Sequence, residues 1–394
     1  MSQQAETASA SKPDVVPADG APPVSLDDLA NRARSQLSQE AWDWLEGGAE
    51  RELTLAANRT SFDRVALLPR ILVDVSSCTT ATRLVRSAAA LPLAVAPVAY
   101  QRLFHPEGEL AVARATATAG VPFTISTLSS VSMEEIAATG TTTWFQLYWL
   151  KDRSAVIDLV QRAEKIGCEA LVLTVDVPLM GRRLRDVRHG FSLPDSVRAV
   201  NLEGGAKSGA HQQTRHGSAV AAHTAATFSS SITWRDVEWL RERTHLPLII
   251  KGVLDPADAV LAARSGAAAV VVSNHGGRQL DQAAPTAAVL PSVVSALEGV
   301  DDSNCDVLVD SGIRSGSDVL SALALGAQGV LLGRPAMWGL AAAGEQGCDQ
   351  VLSLLAEQLR HAMTLAGCPD LEAARHLSTL PMPCERRREH DERF

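Results

Sequence analysis

Eight short runs of apolar, largely β-branched residues recur along the 394-residue chain, and no other feature constrains the fold as strongly. The runs occupy residues 91–97, 122–127, 142–148, 170–176, 247–253, 268–275, 306–312 and 329–335. Each is continuously apolar over several residues, as in parallel strands that are buried on both faces. Stretches with helical periodicity separate them. Eight strand–helix units predict an α/β fold, a closed (β/α)8 barrel of the TIM type rather than an open doubly wound sheet.

The segments outside the repeating pattern have a different composition. Residues 1–24 are small, polar and proline-bearing, which predicts a disordered leader. Ser25 begins an N-terminal helical segment with a sequence resembling a capping box, in which Asp replaces the usual Glu. We expect the barrel domain to cover residues 25–370, with a long, polar, lid-like loop at about 181–232 after the fourth strand. Residues 371–394 are expected to form a C-terminal tail.

Composition excludes several classes of protein. The 36 basic and 45 acidic residues give a net charge of -9, which argues against nucleic acid as the main partner. The six cysteines form no CxxC pair and lie at no metal-ligand spacing, so we expect no metal site and inert thiols in a reducing compartment. The sequence has no secretory signal and no apolar stretch long enough for a membrane span, so we expect a cytoplasmic protein.

Polar side chains end nearly every predicted strand. Active sites of (β/α)8 barrels lie at the C-terminal ends of the strands. The residues at these ends are Pro97, Ser126, Gln146, Tyr148, Thr174, Asp176, Lys251, Ser273, His275, Asp310 and Arg334. Chance would scatter such residues among Gly and Asn, so the pattern predicts a functional site at this face of the barrel.

His275 is the candidate general base, because an imidazole titrates near neutral pH and can accept the proton of a hydroxyl group. Asp176 could hold the other ring nitrogen, although it could also serve only as a helix N-cap. Two further candidates, Arg183 and Arg278, suit a carboxylate ligand, since a guanidinium pairs with it bidentately. We interpret the neighbouring Arg182 as structural.

Lys251 ends the fifth strand among apolar residues, which implies a negatively charged partner, for which a reduced flavin ring is one candidate. A Schiff-base lysine is the competing interpretation. Two glycine-containing segments, 310–318 and 332–335, follow the seventh and eighth strands. Glycines there allow backbone N–H groups to approach a phosphate, and Arg314 or Arg334 would add positive charge. The sequence contains no Rossmann GxGxxG after a strand, and therefore no nicotinamide site of that kind.

The motifs FQLYWLKDR, TVDVPLMGRR, IIKGV, SNHGGRQLD and LALGAQGVLLGRP occur in this order. Together they resemble the FMN-dependent 2-hydroxy-acid oxidase and dehydrogenase family, over roughly residues 25–370, and are most similar to its mandelate-type members. The resemblance implies FMN as cofactor and a homotetramer. It also implies that His275 is the base with Asp176 as its partner, and that Tyr148 and Arg278 take part in catalysis.

The resemblance assigns binding roles to the remaining candidates. The substrate would contact Tyr148, Arg183 and Arg278. The flavin ring and ribityl chain would contact Pro97, Val98, Ala99, Ser126, Gln146, Thr174, Lys251 and Ser273. The ribityl chain and phosphate would contact Asp310, Gly312, Arg314, Gly333 and Arg334.

Three positions depart from the family pattern. Trp44 stands where many members have a tyrosine that binds the substrate carboxylate, so this hydrogen bond is expected to be lost. Leu128 replaces a bulkier aromatic residue of members that act on small acids, and with apolar Leu179 and Met180 nearby it suggests room for an aromatic substrate. Ser311 replaces a glycine of the usual DGG, which affects the geometry of the phosphate loop.

The sequence therefore predicts oxidation of an aromatic, mandelate-type 2-hydroxy acid to the 2-oxo acid, with FMN as electron acceptor and oxygen reduced to hydrogen peroxide. Whether His275 takes the hydroxyl proton or the α-proton stays open. The alternatives are a dehydrogenase that passes electrons to a quinone or another acceptor, a Schiff-base lyase or isomerase on a phosphate-binding barrel, and a binding protein without catalysis.

Overall fold

Eight parallel strands close into a barrel in the order in which they occur along the chain. The computed structural model describes residues 22–202, 209–211, 218–300 and 304–382. The barrel strands are β4 (Leu93–Val95), β5 (Phe123–Ser126), β6 (Thr143–Tyr148), β7 (Ala170–Thr174), β8 (Leu248–Val253), β9 (Ala269–Val272), β10 (Asp306–Val309) and β11 (Gly329–Leu332). Each lies within one of the eight apolar runs, and the predicted (β/α)8 barrel is confirmed.

Alternate residues of the strands fall into two separate hydrophobic clusters. Trp144, Val172 and Ile249 belong to a small cluster made mainly of strand residues. Their neighbours Leu173 and Ile250 belong to a larger cluster that includes the helices. Because side chains alternate across a strand, this division separates the barrel interior from the layer between barrel and helices.

Helices pack around the barrel and precede it. Their bounds are α1 (Leu26–Gln36), α2 (Gln39–Glu46), α3 (Leu53–Asp63), α4 (Glu109–Ala119), α5 (Met133–Ala137), α6 (Arg153–Lys165), α7 (Leu184–His189), α8 (Ala219–Thr227), α9 (Trp234–Arg241), α10 (Pro256–Arg264), α11 (Thr286–Glu298), α12 (Gly316–Ala324), α13 (Arg334–Ala366) and α14 (Leu371–Arg375). The expected cap is present, since Ser25 accepts from the Asp28 N–H and the Asp28 carboxylate accepts from Ser25 N–H.

A short hairpin closes the N-terminal end of the barrel. It consists of β2 (Thr82–Leu84) and β3 (Ser87–Ala89). The indole Nε1 of Trp144 donates to Ser87 Oγ at 2.9 Å. Gly329 allows close packing there, since a Cβ atom would lie 2.6 Å from Leu84 Cδ2. This packing leaves the C-terminal ends of the strands as the open mouth.

Part of the C-terminal tail expected from residue 371 forms regular secondary structure instead. Residues 371–375 form α14, and β12 (Thr379–Pro381) pairs antiparallel with β1 (Val65–Leu67). The physical reason is a stripe of buried apolar residues, Leu371, Ala374 and Leu377, whose spacing of three matches a helical face. The charged residues 384–394 lie outside the described residues.

The long connection after β7 also differs from an irregular loop. Where the structure describes residues 181–232, it forms α7, a 3₁₀ turn at Gly209–His211 and α8. Residues 203–208 and 212–217 within it, and residues 1–21 of the expected leader, lie outside the described residues. None of the described helices is both long and apolar enough to cross a membrane.

Candidate active site

Most of the predicted site residues line one cavity at the C-terminal mouth of the barrel. The lining includes Trp44, Pro97, Val98, Ala99, Leu128, Tyr148, Met180, Arg183, Lys251, His275, Arg278, Asp310, Gly312, Arg314, Gly333 and Arg334. Five predicted residues, Ser126, Gln146, Thr174, Asp176 and Ser273, do not line it, although Asp176 and Ser273 hydrogen-bond to His275 and Lys251, which do. Leu179 lies outside it and is largely exposed.

His275 and Asp176 form a hydrogen-bonded pair, with 3.0 Å between Nδ1 and Oδ1. The His275 backbone adopts a left-handed φ of 57°, followed by Gly276 and Gly277 with φ of 68° and 73°. On the far side, a Cβ atom on Gly252 would lie 2.6 Å from the Asp176 Cβ, so only glycine lets Asp176 approach. Because Nδ1 faces a carboxylate, Nε2 is the ring nitrogen that can accept a proton.

Burial and neighbouring charges together set the ionisation of this pair. It lowers the pKa of His275, and the nearby Asp176 only partly offsets that effect. Burial would raise the pKa of Asp176, but His275 and Lys251 outweigh it, so the pKa is lowered and the carboxylate stays ionised. Burial and the Asp176 charge raise the pKa of Tyr148 to about 12, so its phenol remains a hydrogen-bond donor at neutral pH. The arrangement therefore holds a neutral imidazole beside an anion.

Two arginines, the buried Arg183 and the partly buried Arg278, lie against the ring of Trp44. The guanidinium carbons of Arg183 and Arg278 lie 4.9 Å and 5.5 Å from the indole centroid. The indole stacks on Phe191 at 4.8 Å between centroids. Arg278 also donates to the Leu45 and Gly47 carbonyl oxygens at 3.1 and 2.8 Å. Burial, followed by repulsion from Arg183 and Arg334, lowers the pKa of Arg278 well below its ordinary value. Such a concentration of positive charge favours an anionic ligand.

Lys251 has an anionic partner in the structure, which is Asp310. Its Nζ lies 3.0 Å from Asp310 Oδ2 and donates to Ser273 Oγ at 3.0 Å. Burial disfavours the ammonium, but Asp310 and Asp176 outweigh it and raise the pKa of Lys251. A lysine held in the protonated state is a poor nucleophile, which argues against the Schiff-base alternative.

The loops after β10 and β11 form a cradle for an anion. Gly312 has φ of 123°, and a Cβ atom there would lie 2.7 Å from the Asn58 carbonyl oxygen. Burial and the adjacent Arg334 lower the pKa of Arg314 to about 10, so two cations are enclosed together. Ser311 tolerates a left-handed φ of 70° because its hydroxyl donates to Asp310 Oδ1 and accepts from Gly276 N–H. These partly buried cations and the glycine-lined backbone fit a phosphate group.

Polar groups at the ends of β5 to β9 fit the edge of a planar heterocycle. Gln146 accepts from Ser126 Oγ at 3.3 Å, yet its buried Nε2 has no partner among the described residues. An unpaired buried amide is costly, so a ligand acceptor is expected there. Thr174 is in register between Tyr148 and Lys251 in the sheet. The donor set therefore fits FMN, with its ring near Gln146 and its phosphate near Arg314.

Several residues of the cavity were missed from the sequence. Val220, Thr224 and Phe228 line it from α8 and the residue after it, and Phe228 stacks on Tyr148 at 4.5 Å. Their spacing of four indicates a helix face, but the polar composition around them suggested a loop. Tyr100 and Phe104 line the same apolar region from the connection after β4.

A (β/α)8 barrel with a phosphate cradle, a His–Asp pair and two arginines at its mouth defines a class, the flavin-dependent oxidoreductases that act on anionic substrates. Residues 33–379 match the family model described as FMN-dependent dehydrogenase. The chain therefore belongs to this family of FMN-dependent 2-hydroxy-acid oxidases and dehydrogenases, and FMN is its cofactor.

Individual relatives extend over nearly the whole chain. It is 57% identical to the 4-hydroxymandelate oxidase of Amycolatopsis orientalis, over 90% of this chain and 98% of that protein. It is 45% identical to the L-lactate oxidase of Nostoc sp., over 89% and 96% of the two chains. The crystal structure of a mandelate oxidase with (S)-4-hydroxymandelic acid has 56% identity and a TM-score of 0.89, over 92% of this chain and 100% of that one.

Proposed function

We propose that this protein oxidises an aromatic 2-hydroxy acid of the mandelate type to the 2-oxo acid and transfers the electrons to oxygen. One observation carries the proposal: an apolar chamber with aromatic walls adjoins both the His275–Asp176 pair and the arginines Arg183 and Arg278. Its walls include Trp44, Leu128, Tyr100, Phe104 and Phe228. The 4-hydroxymandelate and mandelate oxidases among the relatives support an aromatic substrate.

The roles of the side chains follow from their chemistry. Arg183 and Arg278 would pair with the substrate carboxylate, and Tyr148 would donate a hydrogen bond. The Nε2 atom of His275 would accept the hydroxyl proton or the α-proton, and the ionised Asp176 would stabilise the imidazolium that results. FMN, when bound, supplies the acceptor for two electrons.

Anaerobic reduction of the bound flavin tests the substrate class. Mandelate and 4-hydroxymandelate should bleach the oxidised flavin spectrum much faster than lactate or glycolate at equal concentration. The reason is that only the aromatic acids fill the apolar chamber. A preference for glycolate or lactate would contradict the proposed substrate.

The 4-hydroxymandelate oxidase and the L-lactate oxidase among the relatives support oxygen as the acceptor. Two electrons from the substrate and two protons would convert one oxygen molecule to hydrogen peroxide. Stopped-flow mixing of the reduced enzyme with oxygen tests this step. Re-oxidation over minutes, together with a fast reaction with a quinone analogue, would instead identify a dehydrogenase.

We also propose a homotetramer. Ile71 and Leu72 are 82% and 100% exposed, and Leu365 is 67% exposed. Exposed apolar side chains of this size favour burial between copies of the chain. Light scattering coupled to size-exclusion chromatography would measure the assembly. The cytoplasmic location stays a prediction from the sequence, which cell fractionation would test.

A further inference from the structure

Asp186 is a deeply buried carboxylate to which the proposed reaction assigns no role. It lies in the first turn of α7 and is 1% exposed. Neither of its side-chain oxygens has a hydrogen-bond partner among the described residues. An ionised carboxylate in such a place is costly unless opposite charge lies nearby. The charged groups around Asp186 therefore determine whether its carboxylate can be ionised and what role it has.

The nearest positive charge is Arg183, one of the two candidate carboxylate anchors. Its Nη1 lies 3.9 Å from Asp186 Oδ2, and its Nε and Nη1 also lack partners among the described residues. Burial raises the pKa of Asp186, while the charges of Arg183 and Arg278 oppose that increase. Asp186 therefore lies at the limit of ion-pair distance from Arg183, and its charge also interacts with that of Arg278.

The carboxylates around this cluster have other partners. Asp43 on α2 lies 3.3 Å from Arg185 and 3.1 Å from His189, both on α7. Glu46 accepts a hydrogen bond from Trp338 Nε1 at 2.7 Å and lies 4.0 Å from Arg334. Asp186 differs from both because the positive charges nearest to it are those of Arg183 and Arg278.

We propose that Asp186 is a positioning residue that serves as an internal anion for Arg183 and Arg278. In the free enzyme it offsets the repulsion between the two guanidinium groups. When substrate binds, its carboxylate competes with Asp186 for the two guanidinium groups. Two cations and one anion leave a single net positive charge, which matches one carboxylate ligand. The 2-oxo acid product is also a carboxylate, so the same competition promotes its release. The inference rests on the proposed function because it takes the ligand to be a carboxylate.

Asp186→Asn tests this role, since it preserves shape and removes the charge. Benzoate is a suitable probe because it carries a carboxylate and an aromatic ring but cannot be oxidised as a hydroxy acid. Titrating the oxidised holoenzyme and following the flavin absorbance gives its Kd. We expect the variant to bind benzoate more tightly, on the order of tenfold, because one repulsive charge near the site is lost. The uncharged benzyl alcohol should bind equally to both proteins.

Asp43→Asn is the matched control. It removes a buried carboxylate from the same contact between α2 and α7, but one that faces Arg185 and His189. Its benzoate Kd should equal that of the wild type. Unchanged or weaker benzoate binding by a folded Asp186→Asn variant would overturn the proposal, because a purely structural aspartate gives no gain in anion affinity.

A double variant covers the case in which Asp186→Asn does not fold. Arg183→Gln together with Asp186→Asn removes one charge of each sign. Recovery of a folded, yellow holoenzyme in the double variant would support charge compensation, whereas failure of both variants to fold would overturn it. The benzoate assay is independent of turnover. Absence of flavin reduction by mandelate would contradict the proposed function and leave this test intact.

Discussion

Leu128→Trp is the substitution that most directly tests how the cavity selects its substrate. Leu128 is buried in the wall of the cavity. Its backbone is held on both sides, since its N–H donates to Ser126 Oγ at 3.1 Å and its carbonyl accepts from Tyr100 N–H at 3.0 Å. The backbone therefore cannot retreat easily, and the larger indole must occupy the space in which we place the aromatic ring of the substrate.

The size of the effect follows from burial of that ring. Enclosing a phenyl-sized group is worth roughly 2–3 kcal/mol at about 25 cal/mol per Å². At about 1.4 kcal/mol per tenfold change, losing this burial lowers kcat/KM for mandelate by roughly 30- to 150-fold. Lactate and glycolate have no ring to displace, so their kcat/KM values should change little. The ratio of aromatic to small acid, rather than either rate alone, is the quantity to compare.

The assay is flavin reduction under anaerobic conditions with mandelate, 4-hydroxymandelate, lactate and glycolate. Leu128→Ile is the matched control, because it conserves volume and should preserve the ranking of the four acids. The reasoning is refuted if Leu128→Trp leaves that ranking untouched, or if it slows all four acids equally.

Three further predictions concern the base and the cofactor. His275→Ala should retain bound FMN but slow its reduction by substrate by roughly 10²- to 10⁴-fold, which is the usual contribution of a positioned acid–base group. Flavin reduction at the wild-type rate in a stopped-flow experiment would exclude His275 as the base. Because burial lowers the pKa of His275, the imidazole stays neutral into the acid range. The acid limb of the pH profile of kcat/KM should therefore have its midpoint below the ordinary histidine pKa of 6.5. A midpoint above that value would contradict a lowered pKa. Arg314→Gln should weaken FMN binding by roughly 10- to 150-fold, because one hydrogen bond to a charged group is lost. Fluorescence titration of the apoprotein measures the Kd, and an unchanged Kd would mean that the phosphate binds elsewhere.

The barrel and most of its active-site residues could be predicted because the signals are local. Each strand is a continuous apolar run, and in a parallel barrel the ends of all strands meet at one face. The residue that follows a run, such as His275 or Lys251, is therefore placed without knowledge of any contact. The same reasoning placed Gly312 and Arg334 at the expected cradle.

Pairings across long sequence separations could not be predicted in this way. The anionic partner of Lys251 is Asp310, although the sequence suggested a flavin ring as one candidate. Ser311 departs from the family pattern. Only the structure shows that its hydroxyl group hydrogen-bonds to both Asp310 and the Gly276 N–H. The helix that carries Val220 and Thr224 was also missed. These two residues are buried only because the helix packs over the cavity, and that contact is not visible in the sequence.

The sequence by itself determined the fold class, the face of the barrel that carries the site and most of the residue types there, because these depend on periodicity and chain direction. The tertiary structure decided which charges lie near one another, and thus the ionisation of His275 and the lack of a hydrogen-bond partner for the Asp186 carboxylate among the described residues. Burial and distance set those energies, and both arise only when segments far apart in the chain pack together.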